Sequence, residues 1–155
     1  MRLKEVTQLL KAKNKTIAVA ESLTGGLISK LLTDIAGSSQ YFILGLVAYS
    51  NVSKNKLLSI PKSLIEKYGA VSRQVAQKMA ANIRKMAKTD LGIGITGIAG
   101  PSGGSKEKPV GTVYIAIDCP HCHTLKKFHF KGKRILIRKK AALQTLKLLK
   151  QCLKK

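Results

Sequence analysis

The chain has 155 residues, 45% of them apolar, and carries 29 Lys and Arg against 7 Asp and Glu, a formal charge of +22. That length suits one domain, residues 1–155, with a core of its own, and no apolar run reaches the roughly 18 residues of a membrane span. The charge suits a nucleic acid or a small anionic substrate, but basic residues occur in every segment and aromatics are only 5% with no Trp, a poor supply for base stacking, so specific nucleic-acid binding is not expected.

Residues 2–12 set Leu3, Val6, Leu9 and Leu10 at helical spacing. Lysines run through this segment without a small-residue cleavage pattern, so it reads as a helix and not a signal peptide, and a cytoplasmic location is the expectation. A short strand over 16–20 runs into Glu21, Ser22, Leu23, Thr24, Gly25 and Gly26, and 27–32 reads as a helix. Strand, glycine turn and helix is an arrangement that aims helix N–H groups at an anion. Ser22 and Thr24 read equally well as N-caps. Glu21 is either a base beside a nucleophile or a carboxylate that neutralises nearby lysines. Residues 33–41 form a loop with two adjacent hydroxyls, Ser38 and Ser39. A second strand covers 42–49 and closes on Tyr49, with Lys54 just beyond. A turn at 57–61, a helix over 63–67 and a cap-like stretch at 69–72 follow. From Ser72 a long amphipathic helix shows Val75, Met79, Ala80, Ile83 and Met86 on one face.

The chain is organised around residues 91–117. An apolar strand, 91–95, leads to Thr96 and then to a loop with Gly97, Gly100, Gly103 and Gly104, before a strand over 110–117. Glycine lets a loop bring backbone N–H groups close to a phosphate or a developing oxyanion. The loop matches neither common nucleotide fingerprint, so a mobile connection is the plain alternative. Cys119, Cys122 and His123 follow at the tip of what reads as a hairpin with 124–130. Their spacing matches haem attachment, a redox pair or half a zinc site completed by His129 or a second subunit, against the plain reading of an incidental hairpin tip. A turn at 131–134 precedes a final amphipathic helix, 135–153, with Ile137, Ala141, Leu146 and Leu149 apolar. Helices alternating with strands, plus one hairpin, predict an α/β fold: a three-layer α/β/α domain with a mixed, mostly parallel sheet.

No His falls in a glycine turn, so a Ser–His–Asp triad is not expected. A hydroxyl nucleophile here needs Lys or Tyr as activator, and Lys54 is a candidate because burial or crowding strips a lysine of its proton. Arg134, with Arg138, reads as a bidentate anion binder or as a solvent-exposed arginine.

Six motifs in order, residues 20–26, 33–39, 47–51, 69–72, 96–101 and 108–112, together resemble the CinA C-terminal domain family, the nicotinamide-nucleotide amidases. The resemblance runs on through 132–134 and the last helix. It implies a fold similar to anticodon-binding domains, assembly as a homodimer or larger, no cofactor and no metal. It implies hydrolysis of nicotinamide mononucleotide to nicotinate mononucleotide and ammonia, with a degenerate nucleotide sensor or competence-associated binding protein as the alternative. By the same resemblance Ser39, Thr96 and Arg134 fall on catalytically important positions, and Tyr49 and Lys54 on positions in the same pocket. Glu21, Ser22, Thr24, Gly25 and Gly26 match a first substrate-binding turn, and Gly97, Ala99 and Gly100 a second. On that basis Ser39 is expected to attack the amide or orient water, Lys54 aided by Tyr49 to move the proton, Thr96 and the glycine loop to hold the oxyanion, and Arg134 with a helix-start turn to bind phosphate. Leu23 stands where a cysteine is frequent in the family, and Lys133 where an aspartate is.

Overall fold

The computed structural model describes residues 3–155, and of Cys122 the backbone alone. The helices are α1 (Leu3–Ala12), α2 (Leu27–Thr33), α3 (Asn51–Leu58), α4 (Lys62–Tyr68), α5 (Arg73–Ala87) and α6 (Arg134–Lys154). The strands are β1 (Ile17–Glu21), β2 (Phe42–Val47), β3 (Leu91–Gly97), β4 (Thr112–Cys119) and β5 (Cys122–His129). They form one sheet in the order β2-β1-β3-β4-β5. β1 is parallel to both β2 and β3, whereas β4 is antiparallel to β3 and β5 to β4. Only β4 therefore runs against the rest, which is the mixed, mostly parallel sheet that the pattern predicted. No helix of the described chain is long and apolar enough to cross a membrane.

Strand alternation divides the core. Ile17 and Val19 of β1 face one way, with Val6, Leu10, Ile28, Leu32, Leu146 and Leu149 of α1, α2 and α6. Ala18 and Ala20 face the other, with Leu58, Ile65, Val75, Met79 and Ile83 of α3, α4 and α5. Met86, expected on the inner face of α5, is instead half exposed.

β3 alternates apolar residues with glycine for a packing reason. Ile93 and Ile95 fill the α6 side, while Gly92 and Gly94 let the backbone of α5 lie directly on the strand. A Cβ on Gly94 would stand 2.5 Å from Ala80 N and closer still to Ala76 O. These neighbours are helix backbone and cannot rotate away. Gly94→Ala is expected to destabilise the fold by about 3 kcal/mol or more. An unchanged urea midpoint for that variant would contradict the packing argument.

Helix α3 was not expected. Its inward side carries Lys54 and Leu58, so it shows no apolar stripe. What starts it is local: Ser50 Oγ accepts from Ser53 N (3.0 Å) and Ser53 Oγ accepts from Ser50 N (3.0 Å), a reciprocal cap.

Candidate active site

Three parallel strands, β1, β2 and β3, end on the same edge of the sheet, and their loops diverge there: the chain leaves β1 for α2 on one face and β2 for α3 on the other. That divergence opens a crevice in an α/β sheet. A cleft of about 260 Å3 occupies it, lined among others by Ser22, Tyr49, Lys54, Thr96, Gly100 and Arg134. A larger concavity, about 440 Å3 between α3 and α4, has only exposed charged groups, Lys56, Lys62 and Glu66.

At the floor, Lys54 is 1% exposed. Its Nζ donates to Ala48 O (2.9 Å), Tyr49 O (3.1 Å) and Ser22 Oγ (3.0 Å). Loss of hydration on burial pushes the Lys54 pKa down to about 8. A neutral amine keeps two N–H bonds for the two carbonyls and turns its lone pair to the Ser22 hydroxyl. The arrangement thus supplies a serine with a base 3.0 Å away.

Glu21 is fully buried and does not act on Ser22. Its carboxylate accepts from Gly26 N (3.0 Å), Ile28 N (3.1 Å), Ser29 N (2.8 Å) and Ser29 Oγ (2.7 Å). It occupies the start of α2, so that turn is not open to a phosphate. The positive φ of Gly25 and Gly26 lets the chain wrap around it. Arg138 holds the turn from outside, with Nε donating to Leu23 O (2.9 Å) and Nη2 to Thr24 O (2.9 Å). Gly25 is required here as well, since a Cβ would stand 3.0 Å from Arg138 Nη2. Thr24 is fully buried behind the turn and is not part of the cleft lining. Glu21→Ala is expected to cost roughly 3 kcal/mol, a fall in Tm of about 10 °C. Thermal unfolding that leaves Tm unchanged would remove Glu21 from this role.

Thr96 is buried at the end of β3, but its hydroxyl donates to Ala70 O (2.9 Å). It pins the cleft wall and is not free to donate to an oxyanion. The Ile98 N–H is likewise spent on Thr112 O (2.9 Å). Gly97, Ala99 and Gly100 continue along the wall. At the rim, Arg134 donates from Nη1 to Gly100 O (2.8 Å) and from Nη2 to the Tyr49 hydroxyl (2.8 Å). Tyr49 therefore assists Lys54 through its backbone carbonyl, while its phenol belongs to the rim.

Ser39 is the sequence expectation that the structure does not bring to this site. It lies exposed in a 3-10 turn, Ser38–Gln40, that feeds the start of β2. The cleft lies beyond the end of that six-residue strand, about 20 Å away. Ser22, directly after β1, is the serine that lines the cleft. Ser22 and Lys54 were both legible as residue types. Their pairing was not, since it joins a β1 turn to a helix that the hydrophobic pattern hides.

The Cys119–Cys122 pair faces itself across the β4–β5 hairpin. The zinc and redox expectations rest on the Cys122 thiol, which lies outside the described residues. His123 Nδ1 donates to Asp118 Oδ1 (2.8 Å), and Arg84 Nε to Asp118 Oδ2 (2.6 Å). Among the described residues no three His, Cys, Asp or Glu side chains cluster as metal ligands.

Comparison with known proteins agrees with this architecture. A family model described as the CinA C-terminal domain matches residues 2–153. A CinA-like protein of Geobacter sulfurreducens is 50% identical over 142 residues, covering 91% of this chain and 34% of that protein. A CinA-like protein of Thermotoga maritima is 45% identical over 149 residues, covering 96% of this chain and 36% of that protein. The chain thus spans about a third of the length of these relatives. Among solved structures, a competence-damaged protein (CinA) superfamily protein from Klebsiella pneumoniae superposes with a TM-score of 0.94 at 28% identity, over 97% of this chain and 94% of that one. Its counterpart from Escherichia coli gives 0.90 at 31% identity, over 97% and 90%. Family model, sequence relatives and fold agree, and the chain belongs to the CinA C-terminal domain family.

Proposed function

We propose that the cleft hydrolyses the carboxamide of nicotinamide mononucleotide, giving nicotinate mononucleotide and ammonia. The observation that carries this reading is the buried Lys54 Nζ, 3.0 Å from Ser22 Oγ and otherwise bonded only to two backbone carbonyls. A buried amine beside a serine hydroxyl is suited to opening an amide. Neutral Lys54 takes the Ser22 proton as Oγ attacks the carboxamide carbon. Ala99 and Gly100, which line the cleft, are the loop residues whose N–H groups would hold the oxygen that becomes negative. Lys54 then gives its proton to the departing nitrogen, and ammonia leaves. Water, deprotonated by the same amine, cleaves the ester and frees Ser22.

Substrate choice follows from the rim. Arg134 supplies a fixed guanidinium for the phosphate, and the wider positive field of the chain draws the anion in. Assembly as a homodimer or larger, and a cytoplasmic location, go with this reading.

The test is ammonia release by purified protein from nicotinamide mononucleotide, with free nicotinamide as the control substrate and a chelator added. Turnover of the mononucleotide alone, unaffected by chelator, supports the amidase. A folded protein that binds the mononucleotide without turnover would overturn it in favour of a nucleotide sensor.

A further inference from the structure

Lys54 Nζ is held by Ala48 O and Tyr49 O, so its one remaining direction faces Ser22 Oγ. Once Oγ carries an acyl group, that direction faces the space from which ammonia departs. The cleft lining includes the small residues Ala70, Gly97 and Ala99 alongside Leu23, Val71 and Ile98. Its rim residues, Tyr49, Ser102, Gly103 and Arg134, are exposed, and Ser22 on the floor keeps 7% of its surface open to solvent. A site that closes over its substrate protects a reactive ester from competing nucleophiles. This one presents the ester to them.

Resting on the amidase reading above, we propose that the cleft is also an acyltransferase, passing the acyl group of the mononucleotide from Ser22 to small unprotonated amines. Microscopic reversibility supplies the reason. An arrangement that protonates departing ammonia through Lys54 also deprotonates an amine arriving at the same place. The atoms balance without any redox partner. Ser22 Oγ forms a C–O bond as the carboxamide C–N bond breaks, and ammonia leaves with the serine proton delivered by Lys54. The amine nitrogen then bonds to the ester carbon, the C–O bond breaks, and the amine proton returns through Lys54 to Oγ. Ammonia itself is mostly protonated at neutral pH and competes weakly. Hydroxylamine is about as small and mostly unprotonated there, which makes it the probe.

The experiment gives the full chain nicotinamide mononucleotide or the methyl ester of nicotinate mononucleotide, with increasing hydroxylamine. It follows ammonia or methanol release, and the acid and hydroxamate products by mass. The expected result is a hydroxamate-to-acid ratio that rises linearly with hydroxylamine and is the same for amide and ester, because both pass through one ester on Ser22. Ser22→Ala is expected to lose both products about 10³-fold or more. Normal ammonia release with only the acid formed overturns the transfer proposal and leaves the amidase standing. So does a ratio that differs between amide and ester, since it means direct attack without a common intermediate. Absence of ammonia release and of both products from the amide overturns the amidase reading and the transfer with it.

Discussion

Ser22→Ala is expected to lower ammonia release from nicotinamide mononucleotide by about 10³-fold or more, with the mononucleotide still bound. Ser39→Ala is expected to leave turnover within about twofold of the parent, as surface substitutions away from a site generally do. The pair separates two serines that sit in equally polar, glycine-bearing turns. Ser22 has a buried amine 3.0 Å from its oxygen, and Ser39 is exposed at the other end of a strand. Removing the Ser22 hydroxyl leaves Lys54 its two carbonyl acceptors, so the fold is expected to survive and the loss to appear in kcat. Steady-state kinetics on both variants decides the assignment. Activity lost in Ser39→Ala and kept in Ser22→Ala would reverse it.

The second large effect is that of pH through Lys54. Burial pushes its pKa down to about 8, and the base is the neutral form. The value of kcat/KM is therefore expected to rise with pH, by about 50-fold between pH 6 and pH 8, and to level off above. Lys54→Met is expected to flatten this limb and remove about 10³-fold or more of the turnover. Stability has the same sign. The folded state holds the proton more weakly than the unfolded chain, whose lysines titrate near 10.4. Burying a protonated Lys54 therefore costs stability fully below pH 8, and the cost is relieved as pH climbs from 8 towards 10.4. Lys54→Met carries no such penalty, so its stability relative to the parent is expected to fall as pH rises through that window. A parent whose kcat/KM is flat from pH 6 to pH 8 would show that Lys54 is not the base.

The remaining polar groups of the site work by holding others in place. Glu21 secures the start of α2, Arg138 secures the two carbonyls that follow Ser22, and Thr96 secures Ala70. Each was visible in the sequence as a polar residue near glycine, but nothing there distinguished a holder from a reactant. A carboxylate next to a serine reads as a base until its acceptor positions are found occupied by N–H groups. Arg138 reads as one more cation on a basic helix until its partners, more than a hundred residues earlier, are located.

Most of the secondary structure was legible because it follows from local physics. Apolar residues recur at helical spacing in α1, α5 and α6, β3 is a short apolar run, and glycine marks the turns. Helix α3 was hidden because its buried side is a lysine and a leucine, and a lysine in the pattern counts as surface. The reciprocal Ser50–Ser53 cap that starts it was found only in the structure.

The sequence by itself determined the family, the alternation of strands and helices, and the set of hydroxyls, amines and glycines from which a site could be built. These depend on residue identity and on neighbours a few positions away. Tertiary structure alone decided which of them meet. In a parallel sheet, loops that leave strands gather at one edge and loops that feed them at the other. Ser22 and Tyr49 follow strand ends and Thr96 sits at one, with Lys54 just beyond Tyr49, and so they share a cleft, whereas Ser39 precedes a strand and is carried to the opposite edge.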